Sequence, residues 1–276
     1  MVINIKKSMG TITIYAILSI VSFVSLIPII FMILGSFKTD IDVFSMENIW
    51  VFKPSLKHYI DLFVKKNFLN NLFNSLILTF SSTAISILIA LPAAYAFTRY
   101  RMKRKKDIML WILSQRMLPP VAIIIPFFLI VRYLGLLDTH ISLIFVYILF
   151  NLPLGIWLLR GFLEEVPVEI EESSRIDGCS ELGTLCRIVI PCASGGVVAT
   201  AIVCMIFTWN EFLFALVLSA KNVVTAPIVA GALKLAWGYG WGQALAAGTT
   251  VIMPIVIVTT ILGRKLQRGL TFGAIK

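Results

Sequence analysis

Few residues in this 276-residue sequence are placed to do chemistry, and the first to consider is GCSELGT, Gly178–Thr184. Its two glycines have the spacing of the phosphate-cradling loop G-x-x-x-x-G-K-[ST]. Thr184 stands where that loop needs its lysine, and no buried strand leads into it, so ATP binding is not expected here. Cys179, Cys186, Cys192 and Cys204 contain no CxxC pair and have no histidine nearby, which argues against disulfides and metal. His58 and His140 lie far apart and read as solvated loop residues. Without clustered His, Asp and Glu, the sequence offers no catalytic residues and no metal site.

Four polar residues inside apolar runs are more informative, because polar groups in a membrane span are expensive. Gln115 and Arg116 precede a Pro119–Pro120 break. Arg116 could line a pathway, or it could pair with an acid on another span or snorkel to the surface. Asn210 and Glu211 have amide and carboxylate groups that bond hydroxyls, and Trp209 offers an aromatic face for stacking. Aromatic and polar residues also mark the outer interface of membrane helices, and an interface or gate role is the preferred reading for this pair. All four are candidates for a translocation path.

The elements around these residues are set by apolar length. The chain is 59% hydrophobic and 14% charged, with mean hydropathy +0.94, against about 25% charged in soluble domains. A helix needs about 20 apolar residues to cross the hydrocarbon core. Six stretches qualify, at about 13–34, 71–97, 108–131, 141–163, 192–219 and 244–263. They predict an all-α, polytopic membrane bundle of six transmembrane helices in a single domain, 1–276. The first run is too long for a signal core and lacks a cleavage site, so an uncleaved anchor is expected.

Orientation follows from basic residues at span ends. RYRMKRKK, Arg99–Lys106, holds six of them and no acid, which makes it cytoplasmic. With six spans, both termini and the connection between spans four and five are then cytoplasmic too. The net charge of +10 is thereby explained without a nucleic-acid partner. The connections around Gly35–Asn70, Asp138–His140 and Lys221–Trp241 face outward, and the middle of the last may dip into the membrane.

The fourth-to-fifth connection, about 167–191, is the most polar long stretch, with five carboxylates and two arginines between Glu169 and Pro191. Pro167 suits the first turn of a helix, early glutamates favour its positive end, and Gly178 is a natural left-handed stop. Ser180 could cap a second helix carrying Leu182, Leu185, Ile188 and Val189. The loop reads as helix, glycine turn, helix. It is either a capped surface hairpin or a helix presented to a partner's groove, and spacing alone leaves both open.

From Glu172 the chain runs Glu-Ser-Ser-x-x-Asp-Gly, with Pro191 nineteen positions beyond Glu172. This resembles the EAA loop of ATP-binding cassette importer permeases, with Ser173 and Ser174 for two alanines, Cys179 for a third, and Leu185 where an aromatic residue is common. NNLFNSLILTFSSTAISILIALPAAYAFTRY, GLLDTHISLI, TWNEFLFALVLS and the terminal RGLTFGAIK are similar to stretches of the carbohydrate-importer permeases, the last two to the second maltose-type permease. The resemblance implies that the loop is a coupling helix, with Glu171, Glu172, Ser173, Ser174, Asp177, Gly178 and Pro191 contacting a separate ATPase. It also implies a heterodimer with a second permease, two ATPase subunits that bind ATP and Mg, an extracytoplasmic solute-binding protein, and the cytoplasmic membrane of a bacterium or archaeon. No cofactor is expected on this chain itself. Cargo would be a sugar, oligosaccharide or polyol. The alternative is an ion-gradient-driven secondary carrier, for which Glu211 is the one candidate carboxylate well inside a span.

Overall fold

Lipid offers no partner for backbone N–H and C=O groups, so a chain this apolar must satisfy them internally, and helices do so within one segment. The computed structural model describes residues 2–45, 50–233 and 240–271, and all regular structure among them is helical. In chain order the helices are α1 Val2–Ser36, α2 Lys57–Ile60, α3 Phe68–Arg99, α4 Lys105–Ser114, α5 Pro120–Tyr133 and α6 His140–Glu164. They continue with α7 Val168–Ile176, α8 Glu181–Thr184, α9 Ile190–Cys192, α10 Ser194–Trp209, α11 Leu213–Leu218, α12 Ala226–Ala232 and α13 Trp241–Thr271. A π turn, Leu185–Val189, joins α8 to α9.

Among the described residues, four helices are long and apolar enough to cross a membrane: Thr11–Ser36 within α1, then α3, α6, and Trp241–Gly263 within α13. They match the first, second, fourth and sixth predicted stretches to within a few residues. The third and fifth stretches differ from expectation, because neither is one straight helix. Lys105–Met117 and Pro120–Tyr133 meet at 89°. Leu118 and Pro119 each precede a proline and are extended (ψ 124° for both), which is where proline's ring drives the residue before it. Glu181–Cys192 and Ser194–Trp209 meet at 82°, with a π turn, Pro191 and the Gly195–Gly196 pair gathered at the corner. Each of these is a recognised cause of sharp kinks. Helix α10 also stops at Trp209, so the predicted span to Ser219 is completed only by the short α11.

Chain contacts divide the molecule into two compact units. In the first, residues 1–68 with 230–250, the end of α1 packs on the start of α13. A Cβ on Gly35 would stand 2.6 Å from Leu245 Cδ1. His58 is 1% exposed, its Nε2 is 2.9 Å from the Lys38 carbonyl, and it lies against Gly242. It is a buried packing residue and not the solvated one the sequence suggested, because its polar neighbours Lys57 and Asp61 give no hint of the turn at Lys38, twenty residues earlier, that packs on it. The expected insertion of the Lys221–Trp241 connection falls partly on residues 234–239, outside the described residues.

The second unit, residues 69–229 with 251–276, holds two apolar clusters. One joins the end of α3, α6 and the π turn through Ala94, Leu159, Leu163, Leu185 and Val189. The other joins α5, the first half of α6 and α11 through Val131, Leu143, Val146 and Phe214. Between helices in lipid, association depends on close packing and small residues permit it. Gly155 sits against Ala90, where an added Cβ would be 3.3 Å away, and Gly196 sits directly under the Phe162 ring. The turn at Asp138, in left-handed backbone with φ 57°, is bound to a second turn. Its carboxylate accepts from the backbone N–H groups of Ala220, Lys221, Asn222 and Val223 at 2.9–3.1 Å. His140 also has a partner, with Nε2 3.0 Å from Asn74 Oδ1.

Candidate functional site

The loop between α6 and α10 folds as helix, glycine turn, helix. Pro167 precedes α7 as its cap, with ψ 133°, and its missing N–H costs nothing at that end. Asp177 and Gly178 close α7 through N–H bonds to Ser173 and Arg175, with Gly178 at φ 86°. Ser180 caps α8, its Oγ accepting from the Gly183 N–H at 3.2 Å. Both the stop and the cap stand where the sequence placed them.

The loop is anchored by one buried carboxylate. Glu171 is 0% exposed, accepts from Tyr95 Oη at 2.9 Å and from Arg99 Nε at 2.7 Å, and forms an ion pair with the same guanidinium. Arg99 extends the bracket by donating to the carbonyls of Leu163 and Val166 at 3.1 and 2.7 Å. These are carbonyls at the end of α6 and its exit, where helix carbonyls lack intrahelical partners; Leu163 also accepts from the Val166 N–H at 3.3 Å. Arg175 lies beside this centre, bonding Glu181 at 3.0 Å. Burial pulls its guanidinium down, but the bond to Glu181 and that carboxylate's charge outweigh burial and leave it raised. Ser174 Oγ meets Thr184 Oγ1 at 2.9 Å, both buried, and ties α7 to α8. A small hydroxyl suits this close approach, which explains how serine replaces alanine here.

The predicted contact residues therefore divide. Glu171 and Ser174 face inward and hold the loop, whereas Glu172, Ser173, Asp177, Gly178 and Pro191 are exposed. Leu185, which stands where the resembling permeases often have an aromatic residue, is 4% exposed and belongs to the core. Ile176 and Leu182, 86% and 70% exposed, form the apolar part of the outer surface. Their signal was available as apolar residues flanking the glycine turn. Arg99 and Tyr95 were not singled out for this role, since a span-end arginine reads first as an orientation marker.

The path candidates also divide. Arg116 and Glu211 line one cleft of about 190 Å³ in the second unit, beneath the α4–α5 break. Arg116 donates to the Phe150 carbonyl at 3.0 Å and lies over the Phe207 ring, 4.3 Å from its centre. Glu211 accepts from the N–H groups of Phe214 and Ala215 at 2.8 and 3.1 Å and so caps α11. Gln115 lines a neighbouring cleft of about 380 Å³, which shares Arg116 and Phe150 with the first. Asn210 is exposed and its amide donates back to the Ile206 carbonyl at 2.8 Å. Trp209 is 4% exposed with Nε1 bonded to the Val251 carbonyl, so its face is closed to a sugar ring. The cleft adds three residues that single-residue reading missed, Tyr147, Asn151 and Thr208, each in an otherwise apolar run.

The geometry is that of a membrane helical bundle with a rigidly held peripheral helix pair. Comparison with known proteins gives the same architecture and extends it. The chain is 35% identical to a probable ABC transporter permease of Sinorhizobium fredii, over 93% of this chain and 92% of that one. It is 30% identical to the diacetylchitobiose uptake system permease DasC of Streptomyces coelicolor, over 94% and 95%. Among solved structures it is similar in fold to a bacterial ABC transporter involved in import of the acidic polysaccharide alginate, with TM-score 0.77, 23% identity, and 93% and 96% of the two chains covered. Residues 86–272, which include α7, α8 and the cleft, match a family of transport-system components. The chain thus belongs to the binding-protein-dependent transport system inner membrane component family.

Proposed function

We propose that this chain is one of two permease subunits of an ATP-driven, binding-protein-dependent importer, and that α7 with the following turn is the lever through which a separate ATPase moves it. The observation that carries the lever is the contrast within the loop. One face is held: Glu171 and Leu185 are locked to α3 and α6 and Ser174 ties α7 to α8, while Glu172, Ser173, Ile176, Asp177 and Leu182 are exposed and free to meet another protein. A push on the exposed face would pass through Glu171 and Arg99 into two long helices at once. Pro191, at the 82° corner, would carry the same motion into α10.

On this reading Lys105–Met117 with Pro120–Tyr133 makes one span and α10 with α11 another, giving six, with both termini in the cytoplasm of a bacterium or archaeon and the whole chain working as one permease domain. ATP and Mg bind only at the ATPase, of which there are two copies, and the solute-binding protein docks from the other side. The cargo is a sugar, oligosaccharide or polyol. DasC, named for diacetylchitobiose uptake, supports that class. Rocking of the attached spans about a central path would give alternating access. An ion-gradient carrier is less favoured, because both oxygens of Glu211 are engaged by backbone N–H groups of α11.

Gly178→Pro tests the lever. Proline cannot adopt φ 86°, so ATP hydrolysis should continue while uptake falls. Unchanged uptake in a normally assembled complex would overturn the assignment.

A further inference from the structure

The basic run between α3 and α4 is left without counter-charge by the fold itself. Arg99 is taken up by Glu171. Arg101, Lys103, Arg104 and Lys106 are exposed and Lys105 is half-buried, and among the described residues none of these five makes an ion pair or a side-chain hydrogen bond. Arg160 and Arg175, by contrast, are paired with Glu164 and Glu181. The backbone concentrates the unpaired charges. Arg104 turns the chain in left-handed backbone, φ 57°, a conformation seen mostly in Gly, Asn and Asp. Lys105 and Lys106 then open α4, with Asp107 the one acid in its first turn, at the helix end where the macrodipole disfavours cations. Cations this close repel one another, and an anion from outside the chain would relieve the repulsion.

The residues beside the charges say which anion fits. Ile108, Leu110 and Trp111 on α4 are 38%, 66% and 66% exposed, and Tyr100, before the run, is 50% exposed. Trp and Tyr favour the headgroup level of a membrane, and exposed apolar side chains of a membrane helix meet acyl chains. Free phosphate or nucleic acid would satisfy the cations and leave the apolar side chains unmet, whereas a phospholipid answers both. We propose that Arg101, Lys103, Arg104, Lys105 and Lys106 bind the headgroup of an anionic phospholipid in the cytoplasmic leaflet, with Ile108, Leu110 and Trp111 against its acyl chains. The leaflet rests on the six-span orientation proposed above; the headgroup chemistry does not. The site adjoins the lever, because Tyr100 Oη donates to Glu181 Oε2 at 3.4 Å and Arg99 holds Glu171. A bound headgroup steadies the end of α3 to which α7 is tied.

The test uses the assembled importer in phosphatidylcholine nanodiscs, doped with phosphatidylglycerol or phosphatidylcholine that carries a diazirine on one acyl chain. After illumination, lipid adducts on the peptide 100–117 should form more from phosphatidylglycerol than from phosphatidylcholine. Lys103→Gln/Lys106→Gln should lower the phosphatidylglycerol yield about fivefold for each cation removed, and Lys103→Arg/Lys106→Arg should keep it. Salt at about 0.5 M should lower it as well. In phosphatidylcholine alone the Gln variant should melt at the wild-type temperature, since exposed substitutions away from packed features change stability little. Equal yields from the two lipids, or a yield unchanged in the Gln variant, would overturn the site. Loss of the ATPase from the Gln variant with lipid yields unchanged would also overturn it and assign the run to a protein partner. The leaflet is read separately, by labelling Lys103→Cys, in a chain with its four native cysteines replaced, with a membrane-impermeant maleimide. Labelling in inverted vesicles alone is expected; labelling in intact cells would overturn the orientation and the leaflet, while the nanodisc yields still decide the headgroup.

Discussion

Arg99 and Glu171, 72 residues apart, form a buried ion pair in which Arg99 Nε donates to Glu171 Oε1 at 2.7 Å. The end of α3 and the helix pair after α6 are therefore mechanically one object. Their side chains are 12% and 0% exposed, so neither charge has much water to fall back on.

Breaking this pair from one side should be costly. Glu171→Ala leaves Arg99 with two carbonyls and no counter-ion, and Arg99→Leu leaves a carboxylate fully buried. Removing one partner of a buried pair typically costs about 3–5 kcal/mol, while replacing both with apolar groups can be close to neutral. The Arg99→Leu/Glu171→Leu double variant should then be more stable to heat than either single variant, yet fail to couple hydrolysis to uptake. Thermal unfolding in detergent, read beside ATPase and uptake rates, checks both parts.

Substitutions on the two faces of the loop should separate stability from coupling. Leu185→Ala removes a buried side chain and should destabilise by about 2–5 kcal/mol. Ile176→Ala and Leu182→Ala change exposed positions and should stay within about 0.5 kcal/mol, while lowering the affinity of the chain for its ATPase. Co-purification yield against melting temperature distinguishes the two behaviours.

The Asp138 clasp should respond to acid alone. Burial raises its carboxyl, but the N–H groups of Ala220, Asn222, Lys221 and Val223 outweigh burial, and the group lies below its ordinary value. A depressed carboxylate contributes stability that is complete above the unfolded value of about 3.9 and is lost as pH falls through the lower folded value. Protection of the 220–223 amides, taken relative to the intrinsic exchange rate at each pH, should therefore be constant from neutral pH down to about pH 4 and fall below it. Asp138→Ala should lose that protection already at neutral pH.

Gly196 should tolerate no side chain at the α9–α10 corner. A Cβ there would overlap the Phe162 ring, and overpacking of this kind costs typically 1–3 kcal/mol. Gly196→Ala should lower the melting temperature, and Phe162→Leu in the same chain should recover part of the loss.

Much of this fold is written in local features. Apolar length located α1, α3, α6 and α13, and Gly178 and Ser180 marked the turn and cap by backbone chemistry that acts within a few residues. What stayed hidden depends on residues distant in sequence. Glu171 looked like a surface carboxylate because its partner, Arg99, is 72 positions away, and nothing local to Leu185 records that α3 and α6 cover it. Length also conceals direction. The stretches around Pro119 and Pro191 are apolar enough to span, but their right-angle breaks come from pre-proline geometry and a π turn that an average over the stretch does not register. Asn210 and Glu211 are neighbours in sequence, yet the end of α10 at Trp209 sends one outward and turns the other onto α11.

The lever itself is tested most directly by crosslinking. Single cysteines at Glu172 and Asp177, in a chain with Cys179, Cys186, Cys192 and Cys204 replaced, would be crosslinked to the purified ATPase subunit with and without nucleotide. The account predicts a crosslink from both positions whose yield changes with nucleotide. An assembled complex that gives no crosslink from either position, or one indifferent to nucleotide, would contradict it.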